Sequence, residues 1–343
     1  MASYTNLIPQ NIATEEAIRI VVFDSNGNRI GKIPLGYLTR PNNGEKLYSV
    51  GLISDIHVTY NTSYDDLKKA LTYFNEIGVD FIGACGDLTS QGVPAQLGEW
   101  KKCVDTYSPN TPVYAISGNH ESYNDSWGQN GADVVNDLMQ TYTGNPLYYS
   151  FTKGDDVYVM FGTKGDEEGS LFTTEGLQWL YETLEVNRNK RCFVFQHVRP
   201  QNTSGNAFGI YKTDIWGGVE ATVFESLMKH YTNCILIHGH SHLKFDLQTK
   251  DNKANYTNAD GYHSIHIPSL SSPRTGNTDG TGGKELPDES EGYVMEVYKD
   301  NIILKGMDFV NMIEIPLAQY CLDTTLKTIE KNAYSDPTGT INV

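Results

Sequence analysis

Residues 48–57 read YSVGLISDIH, a short β-prone apolar run, Ser49-Val50-Gly51-Leu52-Ile53, that gives way to Ser54-Asp55-Ile56-His57. Unbroken apolar positions, rather than alternating ones, mark a strand covered on both faces. Just beyond, Ser63 to Ile77 places Leu67, Ala70, Leu71, Phe74 and Ile77 on one helical face, with Ser63 and Asp66 as a cap pair and Gly78 as a stop. The same alternation continues along the chain. Phe81–Cys85 reads as a strand and ends in Gly86-Asp87; a helical pattern over Ala95–Tyr107 leads to Val113–Ile116, which ends in Ser117-Gly118-Asn119-His120-Glu121. Helical patterns at Thr174–Val186 and Val219–Tyr231 precede Cys192–Phe195, ending in Gln196-His197, and Cys234–Ile237, ending in His238-Gly239-His240-Ser241-His242. Tyr148–Phe151 and Val157–Phe161 pair as a hairpin across Gly154-Asp155 in this reading, and Gly292–Tyr298 with Ile302–Lys305 across Asp300-Asn301. Buried strands alternating with amphipathic helices define an α/β domain.

The chemistry collects where those five strands end. In open α/β sheets, ligands gather beyond the carboxyl ends of the strands. Here those ends deliver Asp55, His57, Asp87, Asn119, His197, His240 and His242. Carboxylate, imidazole and amide oxygen together suit borderline divalent metals, and no thiolate lies in these motifs to suggest a zinc finger.

The ordered series D-x-H, G-D, G-N-H-E, H, G-H-x-H resembles the calcineurin-like metallophosphoesterase superfamily, over roughly Tyr48 to Phe309. The resemblance implies a four-layer α/β/β/α sandwich of two mixed sheets, with the late strand pair in the second sheet. It also implies two adjacent divalent metal ions (Mn, Fe, Zn, Co or Ni, which the donor set does not separate). Asp55, His57, Asp87 and His242 would hold one ion, Asp87 would bridge, and Asn119, His197 and His240 would complete the other. His120 would face the leaving-group oxygen rather than a metal. The implied chemistry is phosphate-ester hydrolysis, on a monoester or a diester, by metal-bridging hydroxide with His120 as general acid. Asp55 and Glu121 are the two candidates to orient His120, and the sequence does not choose between them. Glu121 stands where Asp is commoner, and no Tyr follows Asp87 as in purple acid phosphatases. Gly86-Asp87-Leu88-Thr89-Ser90-Gln91-Gly92 before a helix resembles the branch with cyclic-nucleotide and other phosphodiesterases, so a nucleotide or a glycerophosphodiester polymer is an alternative substrate.

The remaining sequence sets limits. With 26 Lys+Arg against 42 Asp+Glu, the net charge of −16 repels a phosphate backbone, so bulk nucleic-acid binding is not expected. A small phosphate ester remains possible where metal ions supply local positive charge. No run approaches the ~18 apolar residues that span a bilayer, and Met1–Asn6 shows no secretory signal, so a cytoplasmic protein is expected. The five cysteines form no CxxC pair and read as free thiols. Arg199 and Arg274 are candidate substrate-phosphate contacts, with solvated loop positions as the plain alternative. His230, His238, His263 and His266 read as structural or surface residues.

Three domains are expected: a small β-hairpin appendage over residues 1–45, turned at Asn26-Gly27; the phosphoesterase domain over 46–310; and a tail, 311–343, with a short helix near Leu317–Ile329. Asn6–Pro9 and Gly31–Gly36 are similar to leaders of phage- or prophage-encoded proteins, which implies a phage-associated setting and a non-catalytic alternative, an attachment module through the N-terminal segment. Oligomeric state is not legible.

Overall fold

The computed structural model describes residues 19–23, 29–34, 44–59, 63–123, 131–165, 172–198, 200, 204–205, 218–248, 254–258, 261–276 and 283–343. The chain divides into two compact units, Met1–Asn42 and Asn43–Val343. In the first, Arg19–Phe23 (β1) pairs antiparallel with Arg29–Pro34 (β2), from Arg19↔Pro34 to Phe23↔Arg29, with a register shift at Val22/Phe23. The expected Asn26-Gly27 turn lies outside the described residues.

The second unit is built on two six-stranded mixed sheets. In the first sheet Tyr48–Ile53 (β3), Phe81–Cys85 (β4) and Val113–Ile116 (β5) run parallel. The second contains Tyr148–Lys153 (β6), Asp156–Phe161 (β7), Cys192–Phe195 (β8), Cys234–His238 (β9), Tyr256–Thr257 (β10) and His263–His266 (β11). Its order is β10-β11-β9-β8-β7-β6, with β7, β8, β9 and β11 parallel. Glu291–Val297 (β12), Asn301–Asp308 (β13) and Ile313–Asp323 (β14) then extend the first sheet antiparallel, giving β14-β13-β12-β3-β4-β5. This corrects the placement of the late strand pair in the second sheet: it joins the sheet that β3 begins, because β12 pairs antiparallel with β3 from Val297↔Tyr48 to Tyr293↔Leu52.

Among the described residues, five α-helices cover the outer faces. Ser63–Ile77 (α1), Pro94–Tyr107 (α2) and Gly131–Thr143 (α3) bury Leu71, Phe74, Trp100, Val135 and Met139 against the first sheet. Thr174–Val186 (α4) and Gly218–His230 (α5) bury Leu177, Leu180, Phe224 and Leu227 against the second. Between the sheets lie Leu52, Phe81, Phe193, Phe195, Ile237, Tyr293 and Met295. The layering is α/β/β/α, as the resemblance implied. α3 has no counterpart in the sequence reading. Among the described residues no helix is long and apolar enough to cross a membrane. All five cysteines are free, four of them buried.

The C-terminal segment corrects the sequence reading. Ile313–Asp323 is a strand rather than the start of a helical tail, and the domain runs past residue 310. Ala318, Tyr320 and Leu322 are buried with period two, and β14 satisfies the open edge of β13 from Asp308↔Ile313 to Asn301↔Asp323. Residues 324–343 contain no helix; Ile329, Tyr334 and Ile341 are instead buried in the cluster formed with α4 and α5.

The end of the sandwich opposite the motifs is closed by a buried ion pair. Arg191, just before β8, grips Asp156 at the start of β7 through Nε (3.0 Å) and Nη2 (2.6 Å). Its Nη1 donates to Tyr298 O and Thr324 Oγ1, both at 2.9 Å, while the Tyr48 hydroxyl donates to Asp156.

Candidate metal centre

The parallel ladders bring the motif loops to one edge. Beyond β3 and β4 the chains stay paired: Ile56 N–H donates to Asp87 O at 2.8 Å and His57 N–H to the same oxygen at 3.0 Å. Gly239 N–H donates to His197 O at 3.1 Å, joining the ends of β9 and β8. Asp55 and His57 therefore meet Asp87 from one sheet, and His197, His240 and His242 arrive from the other.

Two groups of candidate ligand atoms result. Asp55, His57, Asp87 and His242 present one atom each within 4.8 Å of one another, and Asp87, His197 and His240 do the same. Asp87 is common to both. Asn119 joins the second group through Oδ1, 3.1 Å from His240 Nδ1. His57 Nε2 and His242 Nε2 stand 3.1 Å apart; His242 Nε2 is also 3.1 Å from Asp55 Oδ1, and His197 Nε2 is 3.1 Å from Asp87 Oδ2.

The backbone takes unusual shapes to achieve this. Asp55, His57, Asp87, His240 and His242 all have positive φ, between 48° and 74°, and they are five of the seven such non-glycine residues among those described. Each left-handed non-glycine residue costs on the order of 1 kcal/mol and persists only where its surroundings enforce it. Tight approach explains two motif glycines. A Cβ on Gly118 would collide with Asp87 Oδ1, and one on Gly239 with Ser54 Oγ and Asp55 Oδ2. Ser269, a buried residue the sequence reading passed over, donates through Oγ to Asp55 O at 2.8 Å and accepts Ser272 N–H at 3.0 Å, bracing the strained Asp55.

The electrostatics call for a cation. Asp55 and Asp87 are fully buried; burial alone would raise both carboxyls, but the surrounding imidazoles hold them below the usual range. Burial, with neighbouring imidazoles, pushes His57 and His240 down to about 3, so their ring nitrogens offer lone pairs. His197 goes the other way: against the cost of burial, Asp87 and Asp55 raise it to about 10. Two buried carboxylates thus recruit positive charge onto the one imidazole wedged between them. Converging lone pairs on nitrogen and oxygen, around carboxylates short of a cation, fit two divalent metal ions.

His120 projects beside this centre. Its N–H donates to Asp87 Oδ1 at 3.0 Å, its Nδ1 is 2.8 Å from Ser90 O, and its Nε2 is 3.8 Å from Asp87 Oδ2. Neither expected partner orients it. Asp55 accepts His240 N–H, and Glu121 accepts from Gly118 N–H, Thr89 N–H and Thr89 Oγ1. Burial and Asp87 raise Glu121 to about 7 against the Gly118 and Thr89 N–H groups. The orienting group is the Ser90 carbonyl, which has no side-chain signature. Tyr123 was also missed: its ring lies 4.3 Å from that of His120, and its hydroxyl accepts from Asn119 Nδ2 at 2.8 Å. Its position four residues after Asn119, one turn on, was the available signal.

Arg199 lies outside the described residues. Arg274 borders the site through its backbone, donating N–H to His242 O at 2.7 Å, while its guanidinium pairs with Glu285. His238 meets Ser204 Oγ at 2.8 Å and His266 meets Ser241 Oγ at 2.9 Å, both buried. His263 is bonded to Tyr256 Oη and Asp323 O, and His230 packs against Tyr231 and Tyr334.

A family model described as calcineurin-like phosphoesterase matches residues 48–244, more than half of the chain and every motif loop but the last strands. The chain belongs to the calcineurin-like phosphoesterase family. It is a metal-dependent phosphoesterase, acting on phosphate esters, with Asp/His clusters able to hold two metal ions. Among solved structures, this phosphoesterase is similar to a dimetal phosphatase from Danio rerio, with 16% identity, a TM-score of 0.56, and coverage of 82% of this chain and 100% of that one. It is also similar to GAP50, the anchor in the inner membrane complex of Plasmodium, with 14% identity, a TM-score of 0.53, and coverage of 87% and 92%. At these identities the likeness is one of fold. No curated protein matches it by sequence.

Proposed function

We propose that this phosphoesterase hydrolyses a small phosphate monoester or diester with an alkoxide leaving group, and that His120 is its general acid. Asp55, His57, Asp87 and His242 would hold one divalent ion, and Asp87, Asn119, His197 and His240 the other. When bound, the two ions lower the pKa of a water and clamp the phosphoryl oxygens. The single observation that carries the reading is that Asp87 offers its carboxylate to both clusters while also fixing the backbone of His120.

The protonation of His120 follows from its bonds. An Nδ1–H directed at Ser90 O keeps that proton on the ring throughout. The proton that moves is the one on Nε2, which faces the centre and passes to the departing alkoxide. The ring is left as the neutral Nδ1–H tautomer. Five free thiols support a reducing, cytoplasmic setting, and the acidic chain argues for a small substrate over a polyanion.

Metal-supplemented assays with aryl and alkyl monoesters and diesters test this. Turnover should require the metal, and His120→Asn should slow alkyl-ester hydrolysis by roughly 10²–10⁴-fold while sparing much of the p-nitrophenyl ester rate. No hydrolysis of any ester by metal-loaded protein, with a partner co-purifying through residues 1–45, would replace this reading with the attachment-module one.

A further inference from the structure

Tyr123 follows a one-turn 3-10 helix, His120–Ser122, and folds back over it. Its hydroxyl accepts a hydrogen bond from Asn119 Nδ2 at 2.8 Å. Its ring centroid is 4.3 Å from that of His120, inclined at 48°, on an imidazole that also meets His57 edge-on at 4.5 Å. One side chain therefore touches both polar residues of the Gly118-Asn119-His120 loop.

We propose that Tyr123 is a positioning residue that sets the direction of the Asn119 amide and the plane of the His120 ring. The inference rests on the proposed roles of Asn119 and His120. The two ends of an amide are not equivalent: the oxygen can ligate a cation, and the NH₂ can only donate. In this structure the NH₂ donates to the phenol. The oxygen is left directed at the second cluster, 3.1 Å from His240 Nδ1. Removing the phenol takes away a hydrogen bond that only the NH₂ end of the amide can donate, and with it a bond that distinguishes the ligating orientation of Asn119 from the flipped one. The ring acts separately. His120 is fixed at one point by Ser90 O, 2.8 Å from Nδ1, which still permits swivelling about that bond. Packing by His57 on one contact and Tyr123 on another fixes the plane, and with it the direction of Nε2.

The two contributions separate by substitution. Tyr123→Phe removes the hydroxyl and keeps the ring; Tyr123→Leu removes both. The full chain, freed of metal, is titrated with Mn²⁺ by calorimetry, melted without metal, and assayed on p-nitrophenyl and alkyl esters. Tyr123→Phe should bind one Mn²⁺ as wild type does and the second roughly tenfold more weakly, with an unchanged metal-free melting temperature. Tyr123→Leu should share that loss and in addition slow the alkyl ester more than the p-nitrophenyl ester, since only the alkoxide needs the aligned acid. Two Mn²⁺ bound by Tyr123→Phe with wild-type affinities would overturn the amide role. An unchanged alkyl-to-aryl ratio in Tyr123→Leu would overturn the ring role. Asn119→Ala reports on the underlying reading: if it leaves the second Mn²⁺ site intact, the ligand assignment is wrong and the role of Tyr123 falls with it.

Discussion

Asp87 and Asp156 are both buried aspartates at the ends of strands, at opposite ends of the same sandwich, and their surroundings differ in kind. Asp156 is met by a bidentate guanidinium from Arg191 and by the Tyr48 hydroxyl, so its charge is neutralised by a cation built into the chain. Asp87 is met by His120 N–H and by three imidazoles, His197, His57 and His120, whose Nε2 atoms lie 3.1, 3.7 and 3.8 Å from Oδ2. It also has a left-handed backbone, with φ 48°. One end is closed and contributes stability. The other is strained, short of positive charge, and open to a cation from solution.

The largest effect expected from breaking this comparison is on activity at the open end. Asp87→Asn removes the carboxylate shared by both clusters. It should lower turnover far more than the roughly 10–100-fold typical of an outer-shell partner, with calorimetry showing loss of metal at both sites. Because Asn tolerates positive φ better than most residues and one buried charge is gone, the metal-free melting temperature should hold or rise. A large fall in that temperature would show that Asp87 holds the fold together as Asp156 does.

The mirror experiment at the closed end reverses the pattern. Arg191→Leu leaves Asp156 buried without its partner and should cost about 3–5 kcal/mol in urea unfolding. Metal affinity and kcat measured well below the transition should stay near wild type. The double variant Arg191→Leu/Asp156→Leu should recover much of that stability, because burying an ion pair gains little over apolar packing. If Arg191→Leu instead abolished metal binding, the two ends would not be independent.

What the sequence revealed divides along the same line. α1 and α4 were read with their observed bounds because each has one apolar face and a clear stop. The motif loops were legible because their ligand-type side chains follow strands, where α/β ligands collect. The strain at Asp55, His57, Asp87, His240 and His242 was invisible, since none is a glycine. Ser90 orients His120 through a carbonyl, and a carbonyl leaves no trace in residue type. The Arg191–Asp156 clamp joins residues 35 apart that are unremarkable alone. β14 is not legible as a strand because Leu317, Ala318, Tyr320 and Leu322 suit either period until β13 presents an edge to pair with.

Glu291 sharpens the comparison with a smaller effect, because it solves the same problem a third way. It opens β12, is 6% exposed, and accepts Phe245 N–H at 2.8 Å. Lys244, the lysine that acts on it, is already engaged by Glu289 at 2.6 Å. Burial pushes the Glu291 carboxyl up to about 8, against Phe245 N–H and Lys244, so with neither arginine nor metal it keeps its proton. The folded value lies above the ordinary 4.5, so between those two the native state binds a proton that the unfolded chain has released. The contribution of Glu291 to stability is therefore full below pH 4.5 and falls as pH rises toward 8, by at most ~1.4 kcal/mol per pH unit for one proton. Glu291→Gln keeps an oxygen for Phe245 N–H and has no charge to bury. Urea unfolding of metal-free protein from pH 5 to 9 should show the wild type losing stability across that window more steeply than the variant. Parallel curves would mean that Glu291 is ionised in the fold and that the interior near β12 supplies the compensating charge, as Arg191 does for Asp156.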